Sequence, residues 1–410
     1  KIVHFNTYSQ GGSAVLMQRL HESILARGME SQLRTRHGEI KCQNSQLIDF
    51  QRYWIDKLVE RTQYSFERRV HRADADSYFS RTKTLHPTRL PESDRDADII
   101  HMHWVGRWLD LPSFVDSIPI HIPIVWTIHD MSPLAGGCIS DINCAQWENG
   151  CQVCPLLRSP MNLVWARREL KRRRKALRSR KLCAVANSNY TRRMVEKSLV
   201  FQHRHSLHTI HPGIDVGKYE AINTALAKQS LGISSDRFVI GFGAASVTDE
   251  IKGCGHFVKT VNKLNREIDD LHVLIFGEGS PRLPIDAPMT ELGLLKTHDQ
   301  QSVAYSAMDA FVIASKMETF GQVASEAQAC GTPTYAFDVG GLSDAISNGE
   351  TGGIVPHANC NALADLIRKD RESGKLTKMA TNCREWVRAN FSLEQSTSAY
   401  LDVYHSALNS

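Results

Sequence analysis

The sequence predicts an α/β fold made of two doubly wound domains that flank one hinge. Three observations predict it. Apolar strand-like runs alternate with helix-like segments along the chain, a proline- and glycine-bearing break interrupts them near the middle, and the same alternation then restarts. At 410 residues the chain is too long for one ordinary core and suits two domains of roughly 150 to 200 residues each.

The first strand is read in "IVHFN", and the glycine turn "SQGG" follows it. "SAVLMQRLHESILARG" is the first helix, with apolar residues at three- and four-residue spacing and a terminal glycine. "ADIIHMHW", "IPIVWTIHD" and "LCAVANS" are further strands. "HTIHPGIDVGKYE", His208 to Glu220, breaks the pattern with Pro212 and Gly213 and reads as an interdomain linker about which the domains would close on a ligand. Beyond it "RFVIGFGAAS", "LHVLIFGEGS", "MDAFVIAS" and "TPTYAFDVGG" read as strands with helices between them. We therefore expect domains at 1–209 and 210–390, and a C-terminal helix over 391–410 that crosses back to the first domain. Residues 39–96 are irregular and polar and carry no assignment.

Composition narrows the function classes. With 42% hydrophobic and 23% charged residues the chain is ordinarily globular. No apolar run approaches the roughly 20 residues needed to span a bilayer, and the start lacks a signal peptide's basic flank, so a cytoplasmic location is expected. The net charge of +5 is uneven: Trp165 to Lys181, "WARRELKRRRKALRSRK", holds ten Lys/Arg against one Glu. Leu163, Ala166, Leu170 and Leu177 would give this helix an apolar stripe that lies on the first domain. Its basic face, with Arg172, Arg173 and Arg174, would suit the inner surface of the cytoplasmic membrane or the pyrophosphate of a lipid-linked acceptor; a merely solvated helix is the alternative. "DRDAD", Asp94 to Asp98, precedes a strand and reads as a solvated turn.

Glycine placement separates the ligands. "GFGAAS" lacks the third glycine of a dinucleotide site, and no GxxxxGK[ST] occurs. Three strands nevertheless end in glycines, at Gly243, at Gly277 and Gly279, and at Gly340 and Gly341, where doubly wound sheets bind ligands. Lys252 in "EIKG" suits a phosphate. "FGQVASEAQAC" begins a helix near Gly321 whose N-terminus favours a diphosphate. Glu318 precedes that helix and Glu326 lies within it. Two acceptors astride a diphosphate describe a nucleotide sugar.

The segment "SKMETFGQVASEAQACGTPTYAFDVGGLSDAISNGETGGIV" resembles the donor-binding region of family 4 retaining glycosyltransferases. "GGSA" at Gly11, "VWTIHD" around His129, "HPGID" and "IKG" also sit where that family has its motifs, and the resemblance covers essentially the whole chain. "IHDMSPLAGGCISDINCAQWENGCQVCP" resembles a branch that builds bacterial exopolysaccharides, of the colanic-acid and heterocyst-envelope type. The resemblance implies two Rossmann-like doubly wound domains facing a central cleft, the GT-B fold. It implies that Glu326 binds ribose, that Glu318 with Thr319 and the amides of Phe320 and Gly321 binds the donor hexose, and that Lys252 meets the diphosphate. Gly12 would approach the diphosphate, the segment around Leu294 would receive the base, and His129 would face the reacting sugar. The arginine that often precedes the lysine in this family is missing, and Arg192 or the helix dipole would replace it.

The implied reaction transfers a hexose from a UDP-sugar, with UDP-glucose favoured, to a growing lipid-linked or oligosaccharide acceptor with retention. No catalytic metal is expected. Cys138, Cys144, Cys151 and Cys154 end in CxxC, which suits a structural zinc or, alternatively, four reduced thiols. Two rivals stand: a nucleotide-sugar binder without turnover, and a zinc-stabilised nucleic-acid-binding or scaffold protein. The basic run lacks interleaved aromatics, so no nucleic-acid partner is expected.

Overall fold

The computed structural model describes the chain except residues 39, 41, 49–61, 63–64, 66–78, 80–86, 141–143, 280–282 and 410. Much of the unassigned stretch 39–96 therefore lies outside the described residues. The chain divides into two compact units, Lys1–Ile210 with Thr397–Ser410, and His211–Ser396.

The first unit holds a seven-stranded parallel sheet. Its strands are β1 (Ile2–Tyr8), β2 (Ser31–His37), β3 (Ser45–Leu47), β4 (Ile99–Met102), β5 (Ile124–Ile128), β6 (Leu182–Ala186) and β7 (Ser206–Thr209), in the order β3-β2-β1-β4-β5-β6-β7. Among the described residues its helices are α1 (Gly12–Ala26), α2 (Leu111–Ser117), α3 (Met161–Leu177) and α4 (Asn189–Lys197). The central strands are apolar on both faces because helices cover both: β5 and β6 are buried at every position.

The second unit holds a six-stranded parallel sheet of β8 (Phe238–Ser246), β9 (Leu271–Glu278), β10 (Met289–Glu291), β11 (Ala310–Ile313), β12 (Thr334–Phe337) and β13 (Gly352–Val355), ordered β10-β9-β8-β11-β12-β13. Its helices are α5 (Thr224–Ser230), α6 (Cys254–Leu264), α7 (His298–Ser306), α8 (Gln322–Ala329), α9 (Leu342–Ala345), α10 (Cys360–Glu372) and α11 (Lys375–Phe391). The last helix, α12 (Leu393–Asn409), starts in this unit. From Thr397 it belongs to the first, where Tyr400, Val403, Tyr404 and Ala407 bury against Ile2, Leu20, Ile99 and Val125.

Both sheets reverse their strand order once, between β1 and β4 and between β8 and β11. Each reversal leaves a crevice at the carboxyl ends of its strands, because the flanking crossovers leave to opposite sides. These two places position the candidate groups.

One reading of the sequence is corrected. Asp94 is not solvated: it is fully buried, and it accepts from Arg34 Nε at 2.9 Å. Only its neighbours are wet, with Asp96 and Asp98 paired to Lys1. Arg34 and Arg36 are also what hid β2, since a buried strand reading "SQLRTRH" shows no apolar run.

Candidate functional site

In the second unit the groups converge at the β8–β11 reversal. After β8 a short 3-10 turn, Glu250–Lys252, leads into α6 through Gly253. A Cβ on Gly253 would lie 1.8 Å from Ala314 O, so only glycine lets this turn press against the end of β11. Lys316 N–H donates to Ile251 O at 2.8 Å and locks the two loops together. Lys252 Nζ consequently reaches Glu318 Oε1 at 2.7 Å, and Ser315 Oγ donates to the same oxygen at 3.1 Å. The carboxylate of Glu318 holds the Lys252 ammonium above its ordinary pKa, so the cation persists at any physiological pH.

The loop carrying Glu318 is clamped from behind. Gly341 N–H donates to Glu318 O at 2.9 Å, and a Cβ on Gly340, whose φ is 59°, would lie 1.6 Å from that same oxygen. Gly321 caps α8. Phe320 is buried, its ring beside His211 and Phe391, so its side chain serves the core and only its backbone is available to a ligand. Thr319 is half-buried. Glu326 is half-buried on α8, and its Oε2 accepts from the buried Tyr305 hydroxyl at 3.3 Å.

The strand-end glycines prove partly structural. A Cβ on Gly243 would strike the Phe276 ring at 2.0 Å, and one on Gly277 would meet Ala244 O at 2.1 Å. Gly277 N–H donates to Gly293 O, which places the neighbouring, exposed Leu294 beside the end of β9.

In the first unit Gly12 opens α1 just past the end of β1 and is exposed. His129 follows β5 and His103 follows β4. His129 Nε2 lies 3.1 Å from His103 Nδ1, and His103 Nε2 lies 3.2 Å from Nδ1 of His4 on β1. Burial lowers the pKa of His129 to about 3 and holds His4 and His103 well below the usual range. His101 is separate: it bonds Tyr404 on α12 at 2.7 Å and Thr127 at 2.8 Å, and so anchors the last helix. His4, His101 and His103 bring ring nitrogens within 4.8 Å of one another. His101 and His103 have both nitrogens engaged in hydrogen bonds, and the set reads as a network of neutral rings instead of a metal centre.

Sequence reasoning missed His4, Asp130 and Tyr305. Asp130, beside His129, accepts from Trp104 Nε1–H at 2.5 Å and from Ser132 N–H at 2.8 Å, and burial raises its pKa. Only its adjacency to His129 could have flagged it.

Arg192, named as a replacement phosphate ligand, lies on α4 of the first unit and pairs with Glu196 at 3.0 Å. The basic helix α3 is also corrected. Arg173 is buried and donates to Ala135 O at 2.7 Å and to Ser132 O, while Arg172 pairs with Asp110 at 2.8 Å and Glu169 at 3.0 Å. Ala166, Leu170 and Leu177 are buried as expected of the stripe, but Leu163 is 51% exposed beside exposed Val164. The outward cations are Arg167, Arg168, Lys171, Lys175 and Arg178. Cys138, Cys151 and Cys154 are buried and Cys144 half-buried, all as free thiols. Burial raises the Cys151 thiol to about 11, with Cys154 and Cys144 adding to the shift. No three of these sulfurs form a metal-ligand group among the described residues.

Residues 10–218 match the family described as Glycosyltransferase Family 4, and residues 224–386 match the one described as Glycosyl transferases group 1. The chain belongs to glycosyltransferase family 4. A D-inositol 3-phosphate glycosyltransferase 1 from Catenulispora acidiphila is 30% identical over 49% of this chain and 52% of its own length. The Paenarthrobacter aurescens D-inositol 3-phosphate glycosyltransferase is 31% identical over 48% and 51%. The chain thus spans about half the length of the curated relatives it matches. Among solved structures, HepE from Anabaena in complex with UDP superposes with TM-score 0.66 at 14% identity, over 99% of this chain and 100% of that one. Sucrose-phosphate synthase from Thermosynechococcus elongatus gives 0.65 at 19% identity, over 99% and 98%. With two parallel doubly wound sheets, these neighbours establish the GT-B fold.

Proposed function

We propose that the chain is a retaining hexosyltransferase that takes its sugar from a nucleoside diphosphate donor held at the β8–β11 reversal. The observation that carries this is the Lys252–Glu318 pair at 2.7 Å, clamped at the carboxyl edge of the sheet ahead of the N-terminus of α8. Breaking the bond between the anomeric carbon and phosphate builds negative charge on the leaving diphosphate. Lys252 and the N-terminal amides of α8 would meet that charge as it develops, which accelerates the step electrostatically. Glu318 would exchange its ion pair for hexose hydroxyls and Glu326, steadied by Tyr305, would hold the ribose. In the first unit His129 is the candidate substrate contact and Gly12 the residue allowing close approach.

UDP-glucose is the favoured donor, supported by the likeness to HepE, which has also been solved in complex with UDP-glucose. The favoured acceptor is a lipid-linked exopolysaccharide intermediate at the inner face of the cytoplasmic membrane. Membrane contact would come through the outward cations of α3; among the described residues no helix is long and apolar enough to cross a membrane. A phosphorylated polyol acceptor is a second reading, favoured by the inositol 3-phosphate enzymes among the relatives. A panel of UDP-, GDP- and ADP-sugars, assayed for hydrolysis and for transfer to inositol phosphate or lipid-linked saccharide, tests the proposal; release of nucleotide from none of them contradicts it. A structural zinc at the cysteine loop remains proposed: metal analysis of purified protein should find one zinc per chain that thiol alkylation prevents, and metal-free protein of unchanged stability contradicts it.

A further inference from the structure

His4, His103 and His129 are joined by two hydrogen bonds, His4 Nδ1 to His103 Nε2 at 3.2 Å and His103 Nδ1 to His129 Nε2 at 3.1 Å. A neutral imidazole carries one proton, so one nitrogen donates and the other accepts. Burial keeps all three rings neutral. Two shared bonds between three neutral rings allow only two arrangements, with every bond running outward from His4 or every bond running inward.

The inner end decides between them. His4 is fully buried on β1 and its Nε2 has no hydrogen-bond partner among the described residues. Running inward, the chain would leave a bare N–H at that nitrogen. Running outward, it leaves only a lone pair there, and a buried orphan donor is rarer than an under-used acceptor.

We propose that His4 and His103 form a one-way hydrogen-bond relay that fixes the proton of His129 on Nδ1. His4 Nδ1–H donates to His103, His103 Nδ1–H donates to His129 Nε2, and His129 is left as a hydrogen-bond donor through Nδ1. In that tautomer Nδ1 donates to the oxygen that faces it and does not act as a base. His4 and His103 are positioning residues that touch no substrate. The consequence for turnover rests on the reading of His129 as a substrate contact; the tautomer itself does not.

The test is nitrogen NMR of the full chain with isotope-labelled histidines, the His129 signals being assigned by their loss in His129→Asn. The expected result is a protonated Nδ1 and a bare Nε2 on His129; a proton on Nε2, or signals averaged between the two, overturns the relay. His103→Phe keeps a ring but removes the donor, and should leave His129 averaged between tautomers. His103→Asn, whose amide N–H can stand where Nδ1–H stood, should retain the wild-type signals. On UDP-glucose hydrolysis, His103→Phe should lower kcat about tenfold at unchanged KM while His103→Asn stays near wild type. Equal loss in both variants overturns the positioning role. If His103→Phe does not fold, the wild-type and His103→Asn spectra still decide, and if wild type releases nucleotide from none of the UDP-, GDP- and ADP-sugars, the proposed function fails while the spectra still judge the relay.

Discussion

If Glu318 contacts the hexose and Glu326 the ribose, as proposed, their removal should separate turnover from binding. Ribose contacts are the same in ground and transition states, whereas hexose contacts orient the reacting carbon. Glu326→Ala should weaken UDP binding about tenfold with a smaller change in kcat, and Glu318→Ala should lower kcat about a hundredfold, because it removes both the hexose acceptor and the partner that positions Lys252. Steady-state kinetics on the best donor of the panel checks this; indistinguishable variants would dissolve the assignment. The glutamate pair was legible in the sequence because the loop, the glycine cap and the helix that carry it are contiguous. The Tyr305 contact to Glu326 and the His4–His103–His129 chain were not, since each joins residues from separate strands or helices that meet only in the folded sheet.

At the scale of elements, α3 separates two kinds of arginine that a helical wheel treats alike. Arg173 is buried with its guanidinium on the carbonyls of Ser132 and Ala135, so Arg173→Met should destabilise the protein by about 2 to 4 kcal/mol in denaturant unfolding. A loss near zero would show that those carbonyls find other donors. The outward set behaves differently. Arg167, Arg168 and Lys171 changed together to glutamine should weaken binding to anionic vesicles about a hundredfold at low salt, each cation being worth about 1 kcal/mol, and leave nucleotide binding unchanged. Wild-type protein that ignores such vesicles removes the membrane reading. Periodicity revealed α3 and most of its inward stripe, and the apolar runs revealed β4, β5, β6, β8, β9, β11 and β12. Periodicity could not reveal β2, whose buried Arg34 depends on a distant Asp94, nor β7 and β13, whose "SLHT" and "GGIV" carry too little apolar pattern.

For the whole molecule, the buried histidines tie the first unit to pH. His4, His101 and His103 have folded pKa values well below 6.5. Above the unfolded value neither state binds these protons and stability is unaffected. As pH falls through about 6.5 the unfolded chain binds them and the folded chain does not, so stability is lost, approaching about 4 kcal/mol per pH unit for three protons. Thermal unfolding should therefore shift to lower temperature between pH 7 and pH 5.5, and a flat profile would mean that the rings protonate in place.

Every proposed role depends on a nucleotide bound in the second unit, and calorimetric titration of the full chain with UDP measures that binding. Wild type should bind UDP saturably, and Lys252→Met and Glu326→Ala should each weaken that binding about tenfold or more. Binding left unchanged by both substitutions, or no binding of UDP, GDP or ADP by wild type, would contradict the proposed donor site.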